Sequence, residues 1–301
     1  MELKAFVPGI YPRSDALVQA TRDLDRGRAT QEVVDAQFER DLRDFVALQE
    51  EAGLDLLSDG MLRWQDLFRP LAEAADGLGA RPLTRFLDTN TFYRAVLVEG
   101  EPRLRTPVAA PDLPGGRWLA TLPSPLAFSI AARRAASAQA LAANVLAPQI
   151  EAYADAGCAL VVLAEPFLAA ENGIDELARA LAELPARVPL ALQLPFSDAS
   201  RALGGLADVA VDAIGVDFYA TTPDGVPDRF PKTLLAGIVD ARSSVIEDPA
   251  ELARFAARLS ESEPSGLALV PNGDLQFVPA GIAREKVRAL ARARVRLEEV
   301  A

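Results

Sequence analysis

The chain has 301 residues, half of them hydrophobic, and carries 31 Lys+Arg against 43 Asp+Glu for a formal net charge of −12. That acidic balance argues against nucleic acid and against an anionic membrane surface, both of which are met by basic faces. A single cysteine excludes an intramolecular disulfide framework, and the absence of histidine removes the commonest general base, nucleophile partner and transition-metal ligand.

Chemistry here must therefore rest on carboxylates, Arg, Lys, Tyr, backbone groups or a cofactor. The opening MELKAFVPGIYPRS has no signal-peptide core, and no apolar run is long enough to span a bilayer. A cytoplasmic protein is expected.

In chain order, Leu3–Val7 predicts a first strand, ended by Pro8-Gly9, and Ala29–Ala52 has the apolar spacing of a long helix. Leu54–Leu57 is a short, almost wholly apolar run that predicts strand 2, followed by the turn Ser58-Asp59-Gly60 and a helix over Leu62–Ala75. Gly77–Gly116 differs, being rich in Pro and Arg with a β-leaning run Phe92–Val98. It predicts an insertion forming a hairpin or flap between strands 2 and 3.

Trp118–Leu122 predicts strand 3, and Leu126–Ala156 a helical stretch broken near Ala135. Strands 4 to 8 follow as Cys158–Leu163, Val188–Leu194, Ala213–Asp217, Thr233–Val239 and Gly266–Val270. Helices are expected over Ile174–Leu184 and Pro249–Leu259, and a basic helix, Ile282–Val295, closes the chain. Eight apolar runs with helices between most of them predict one α/β domain over 1–301, a (β/α)₈ TIM barrel.

Ligands gather at the carboxyl ends of such strands. Those ends carry Tyr11 and Arg13, Asp59, Ser124, Glu165, Gln193 and Asp198, Asp217 and Tyr219, Asp240 and Arg242, and Asn272 and Asp274. Carboxylates converging on one mouth would raise one another's pKa and suit acid–base work, or would hold a hard cation such as Mg²⁺. Arg13 and Arg242 are candidates for an anionic group.

Most of these residues also have an ordinary structural explanation, since Asp and Asn after strands form turns and cap helices. Glu165 is the exception, because Glu is a poor turn former and this one follows an apolar strand. Tyr93 and Arg94 in the flap either contact substrate or hold the hairpin to the body. Trp64 and Cys158 are read as packing.

With the strand ends collected, the chain resembles the catalytic barrel of the cobalamin-independent methionine synthase family almost end to end. GIYPRS resembles that family's first-strand Gly-Ser-Phe-Pro motif, and QEEAGLDLLSDGMLRWQDLF its Gln-Glu-x-x-Gly-Leu-Asp segment leading into Asp-Gly-Glu-x-x-Arg-x-Asp. AGCALVVLAEPFL resembles its Asp-Glu-Pro strand, LLAGIVDARSSVIEDPAEL its seventh strand, and LVPNGDL its Pro-Asp-Cys-Gly-Leu.

The resemblance implies methyl transfer from a methylated folate to homocysteine. It also implies a zinc held by His-x-Cys after strand 5, Glu after strand 6 and Cys after strand 8. Here those positions read Gln193-Leu194-Pro195, Asp217 and Gly273, and the implied amino-acid contacts read Ile10, Met61 and Ala164. One carboxylate does not make a stable zinc site. No zinc is expected, and a methylated folate is the cofactor the resemblance still allows.

The chain is accordingly read as a methyltransferase-like barrel acting on a small, anionic substrate. Glu165, Asp59, Asp217 and Asp274 are its acid–base candidates. Tyr11, Arg13, Tyr93, Arg94, Gln193, Tyr219, Asp240, Arg242 and Asn272 are its substrate-contact candidates. The alternative is a non-catalytic barrel that binds a folate-like ligand or serves as a partner subunit.

Overall fold

The computed structural model describes residues 2–87, 91–168 and 173–300. Its strands are β1 (Glu2–Ala5), β2 (Ala75–Arg85), β3 (Phe92–Leu104), β4 (Trp118–Pro123), β5 (Cys158–Ala164), β6 (Leu190–Leu194), β7 (Ala213–Asp217), β8 (Thr233–Val239) and β9 (Gly266–Pro271). Seven of them form one parallel sheet in the order β1-β9-β8-β7-β6-β5-β4. Every residue of β4, β6, β7 and β9 is buried, as expected of apolar strands covered on both faces.

The sheet is curled. Phe6, Leu56, Leu119, Val162, Ala191, Ala213, Leu235 and Ala268 come from positions all along it, yet they pack in one cluster with Val270. A flat sheet would hold such residues far apart. Helices cover the outside, and among the described residues none is long and apolar enough to cross a membrane.

The expected strand Leu54–Leu57 is instead a single bridging residue, Leu57, paired with Trp118. Leu57 N–H donates to Arg117 O (2.9 Å) and Leu119 N–H to Leu57 O (2.8 Å). On the other side Asp55 N–H donates to Ala5 O (3.0 Å), while the Asp55 carboxylate accepts the Ala5 N–H (2.7 Å). A side chain thus takes the donor that a ladder carbonyl would take, and the barrel expected with eight strands has seven strands and one bridge.

Two helical expectations also change. Asp15–Asp25 forms a helix, α1, that was not anticipated and that buries only Leu17; Ser14 caps it, accepting Leu17 N–H at 3.1 Å. The long helix α2 (Gln31–Ala52) matches its prediction and ends on Gly53 at φ 76°. The helix predicted over Leu62–Ala75 shrinks to α3 (Arg69–Ala74). Asp66 sets its start, Oδ1 accepting the N–H groups of Phe68 and Arg69 at 2.9 and 2.8 Å.

The other oxygen of Asp66 accepts Arg94 N–H (2.9 Å) and so ties down an antiparallel hairpin, β2–β3, that is longer than the run Phe92–Val98 expected from sequence. Within the predicted flap Gly77–Gly116, residues 88–90 lie outside those described. The stretch after β4 is helical with the expected break: α4 (Pro125–Ala131), then Ala138–Leu141, a π turn Ala142–Leu146, and Ala147–Asp155.

One buried ion pair fastens the closing helix Ala280–Val300 to the loop after β8. Lys286 Nζ, wholly buried, donates to both Glu247 oxygens (2.8 and 2.9 Å) and to Val245 O (2.6 Å). Replacing Lys286→Met strands the Glu247 carboxylate, so urea unfolding is expected to show a loss of about 3–5 kcal/mol, with part restored in the double variant carrying Glu247→Gln.

Candidate functional site

The carboxyl ends of β6, β7, β8 and β9 bring Gln193, Asp217, Arg242 and Asn272 into one neighbourhood. Asp217 ends β7 and is buried; its Oδ1 accepts Tyr219 N–H (2.8 Å) and Asn272 Nδ2 (3.1 Å). Its Oδ2 is also buried but has no hydrogen-bond partner. Burial raises the Asp217 carboxyl, against the hydrogen bonds it accepts and the charge of Arg242.

Asn272 is held in turn by Ala241, whose N–H donates to Asn272 Oδ1 (2.8 Å). Its close approach needs Gly237 in β8, where an added Cβ would come within 2.8 Å of the Asn272 backbone. Gln193 donates through Nε2 to Pro271 O (2.9 Å). The Arg242 guanidinium lies 4.5 Å from the centre of the Phe196 ring, a cation–π contact that keeps a positive charge beside Asp217.

The zinc implied by the resemblance does not fit these residues. A Cβ at Gly273 would stand 2.3 Å from the Phe196 ring, so an aromatic ring fills the space a ligating thiolate would need. Gln193 is engaged with a carbonyl, and Asp217 shares Oδ1 with Asn272. Among the described residues no three His, Cys, Asp or Glu side chains are grouped so as to hold a metal ion, the rim carboxylates included.

The remaining candidates are placed apart from one another. Glu165 is fully buried beneath α4; Oε1 accepts Phe167 N–H (2.9 Å), and Oε2 accepts Ala127 N–H (3.1 Å) and the Ser124 hydroxyl. Burial pushes it up to about 7 in spite of those bonds. Asp274 joins the ends of β9 and β1 by accepting Ile10 N–H (3.2 Å) and Gln276 Nε2 (3.0 Å), and burial pushes it up to about 6. Asp59 closes a turn on Met61 N–H (2.9 Å) and is likewise raised by burial.

Arg13 donates to the carbonyls of Leu62 and Trp64 (2.9 and 2.6 Å), which makes it a strap across the turn after Asp59. The Tyr11 ring stacks on Phe45 of α2 at 3.9 Å. Tyr219 is half-exposed, its hydroxyl 3.2 Å from Glu247. Asp240 closes a turn on Arg242 N–H (2.9 Å). In the hairpin, Tyr93 packs on Phe68 at 5.2 Å and Arg94 is pinned through its backbone, so both hold the hairpin to the body.

The sequence reading missed an aromatic arc. Phe86, where β2 ends, stacks on Phe277 (6.3 Å, 12°) and meets Phe167 and Tyr93 at 6.3 and 6.2 Å; Phe277 meets Phe196 edge-on at 5.4 Å. The hairpin thereby reaches segments that follow β5 and β9. The visible signal was Phe directly after a rim proline, at Pro166-Phe167 and Pro195-Phe196.

A curled parallel α/β sheet with polar groups at its carboxyl rim defines the general class of barrel-type enzymes and binders. No protein-family model matches the chain. Curated 5-methyltetrahydropteroyltriglutamate–homocysteine methyltransferases of Mycobacterium tuberculosis and Mycobacterium bovis are 29% identical over 216 residues, which is 62% of this chain and 27% of theirs. The matched region thus spans about a quarter of the length of those relatives.

Among solved structures, a B12-independent methionine synthase from Shewanella sp. W3-18-1, in complex with selenomethionine, superposes with a TM-score of 0.77 at 17% identity, covering 99% of this chain and 98% of that one. A methyltransferase from Methanosarcina mazei gives 0.56 at 13% identity, covering 98% and 94%. The chain is similar in sequence and in fold to the cobalamin-independent methionine synthases.

Glu165 and Asp274 set a pH dependence. Each holds its proton in the folded chain over a range in which the unfolded chain has released it, so their contribution to stability is full below the ordinary carboxylate pKa and is lost as pH rises through about 7 and about 6. Thermal stability is expected to fall between pH 4.5 and about 7. For Glu165 alone the loss is about 3 kcal/mol, and it should largely vanish in Glu165→Gln.

Proposed function

We propose that this chain is a cytoplasmic, methyltransferase-like barrel that acts on a small, anionic substrate at Asp217 and Arg242 and works without a zinc ion. The observation that carries the proposal is the unpartnered, buried Oδ2 of Asp217 at the end of a barrel strand. Leaving such an oxygen without a partner costs about 1–3 kcal/mol, a cost that a ligand bound there would offset. Its curated relatives are methyltransferases, which supports the reaction class.

In this reading the unpartnered Oδ2 of Asp217 carries the proton and passes it to the donor as general acid, a role toward which burial moves the carboxyl. A methylated folate is the donor. Protonation of its methyl-bearing nitrogen lets the C–N electron pair leave with that nitrogen, while a lone pair of the acceptor forms the new bond to the methyl carbon. Arg242, stacked on Phe196, attracts the acceptor's anionic group, and Asn272 and Gln193 shape the floor. Glu165 supports the start of α4 and touches no substrate.

A second reading, a non-catalytic barrel that only holds its ligand, is favoured by the complete engagement of Glu165 in the scaffold. Asp217→Asn separates the two. Methyl transfer from 5-methyltetrahydrofolate to a panel of small carboxylate-bearing acceptors is expected to fall by about 10²–10³ in the variant. Its unfolding midpoint should hold, since the neutral amide keeps the shape of the carboxyl and can accept the same hydrogen bonds from Tyr219 N–H and Asn272 Nδ2. Equal turnover in wild type and variant overturns the proposal; binding of the folate with no transfer in either favours the second reading.

A further inference from the structure

A cavity lies outside the sheet, between α2 and the start of the closing helix Ala280–Val300. It measures about 320 Å³ and is lined by Tyr11, Asp44, Leu48, Leu62, Gly281 and Arg284, among others. That size falls at the lower end of small-ligand cavities. Tyr11 is only 7% exposed and, among the described residues, its hydroxyl has no hydrogen-bond partner. Tyr11 shares the wall of the cavity with Gly281 and Arg284 of the closing helix, and burial pushes its hydroxyl up to about 12 against the charges of Arg284 and Arg288.

The helix start offers further donors. Its first internal hydrogen bond runs from Ala283 N–H to Pro279 O (2.9 Å), which leaves the N–H groups of Ala280, Gly281 and Ile282 without a helical acceptor. No acidic residue stands in the first turn, and a Cβ at Gly281 would meet nothing within 4 Å, so this end opens on the cavity. Arg284, one turn further, makes no ion pair among the described residues.

The opposite wall is acidic. Asp41 is saturated by Ser14 N–H, Ser14 Oγ and Gln37 Nε2, but Asp44 has no partner among the described residues. A purely anionic guest would meet Asp44 and Asp41; a purely cationic one would meet Arg284 and the positive helix end. Between the two charges, Leu48, Leu62 and the Phe45 ring give apolar wall.

We infer that this cavity is a binding site, separate from the strand-end site, for a small zwitterion of the amino-acid type. Its carboxylate sits at the helix start with Arg284 and the Tyr11 hydroxyl, its ammonium at Asp44, and its apolar part on Leu48 and Leu62. The combination asks for both charges at once, which sets the specificity.

The test is calorimetric titration of the full chain with L-leucine, with isocaproate, which lacks the ammonium, and with isoamylamine, which lacks the carboxylate. Saturable leucine binding is expected, with each truncated analogue about tenfold weaker or more. Arg284→Gln and Asp44→Asn should each weaken leucine by a similar factor, whereas Asp217→Asn should leave it unchanged. Absence of saturable leucine binding, equal binding of an analogue, persistence in both cavity variants, or loss in Asp217→Asn each overturns the inference.

Discussion

The curl of one parallel sheet governs the rest of this molecule. By wrapping seven strands and one bridging residue around a shared interior, it forces the polar carboxyl ends of those strands into a small space largely closed to water. Each carboxylate there must either find donors or shed its charge. Glu165 finds three, Asp274 two and Asp59 a turn amide, and burial nevertheless raises all of them. Asp217 is left with one buried oxygen that has no hydrogen-bond partner, which sets it apart from those three.

At the same rim, the described residues do not fit the zinc that the resemblance implies. The Phe196 ring packs against Gly273, Gln193 ties β6 to Pro271, and Asn272 occupies one oxygen of Asp217. These contacts reinforce one another: the ring that fills the space beside Gly273 also carries Arg242 above it and meets Phe277, which in turn meets Phe86 from the hairpin. A positive charge and an aromatic cover stand where donor atoms would be needed.

Away from the rim, the closing helix serves two purposes. Its Lys286 is committed to Glu247, which also accepts Asp240 N–H (2.8 Å) and the Tyr219 hydroxyl, so the loop after β8 that carries Arg242 is braced from outside. One turn earlier its uncapped start faces Tyr11 and α2 across an open cavity. Support and opening therefore sit side by side on one element.

Much of the frame was legible in the chain itself. Apolar runs such as Trp118–Leu122 and Ala213–Asp217 could only be strands covered on both faces, and the periodicity of Ala29–Ala52 could only be a helix, because burial and period are local properties. The rim positions were legible too, since parallel strands of one barrel end on the same side.

What the sequence could not decide was which way each rim side chain turned and what it met there. Asp66, inside the predicted helix, instead caps the shorter α3 from outside it, Tyr11 turns toward α2, Arg13 is taken up by carbonyls close to it only in space, and Glu165 is consumed by an amide and a hydroxyl some forty residues earlier. Those outcomes depend on partners distant along the chain. Whether a buried polar atom is satisfied or left wanting is a property of the packed neighbourhood, so the unpartnered oxygen of Asp217 emerged only from the tertiary structure.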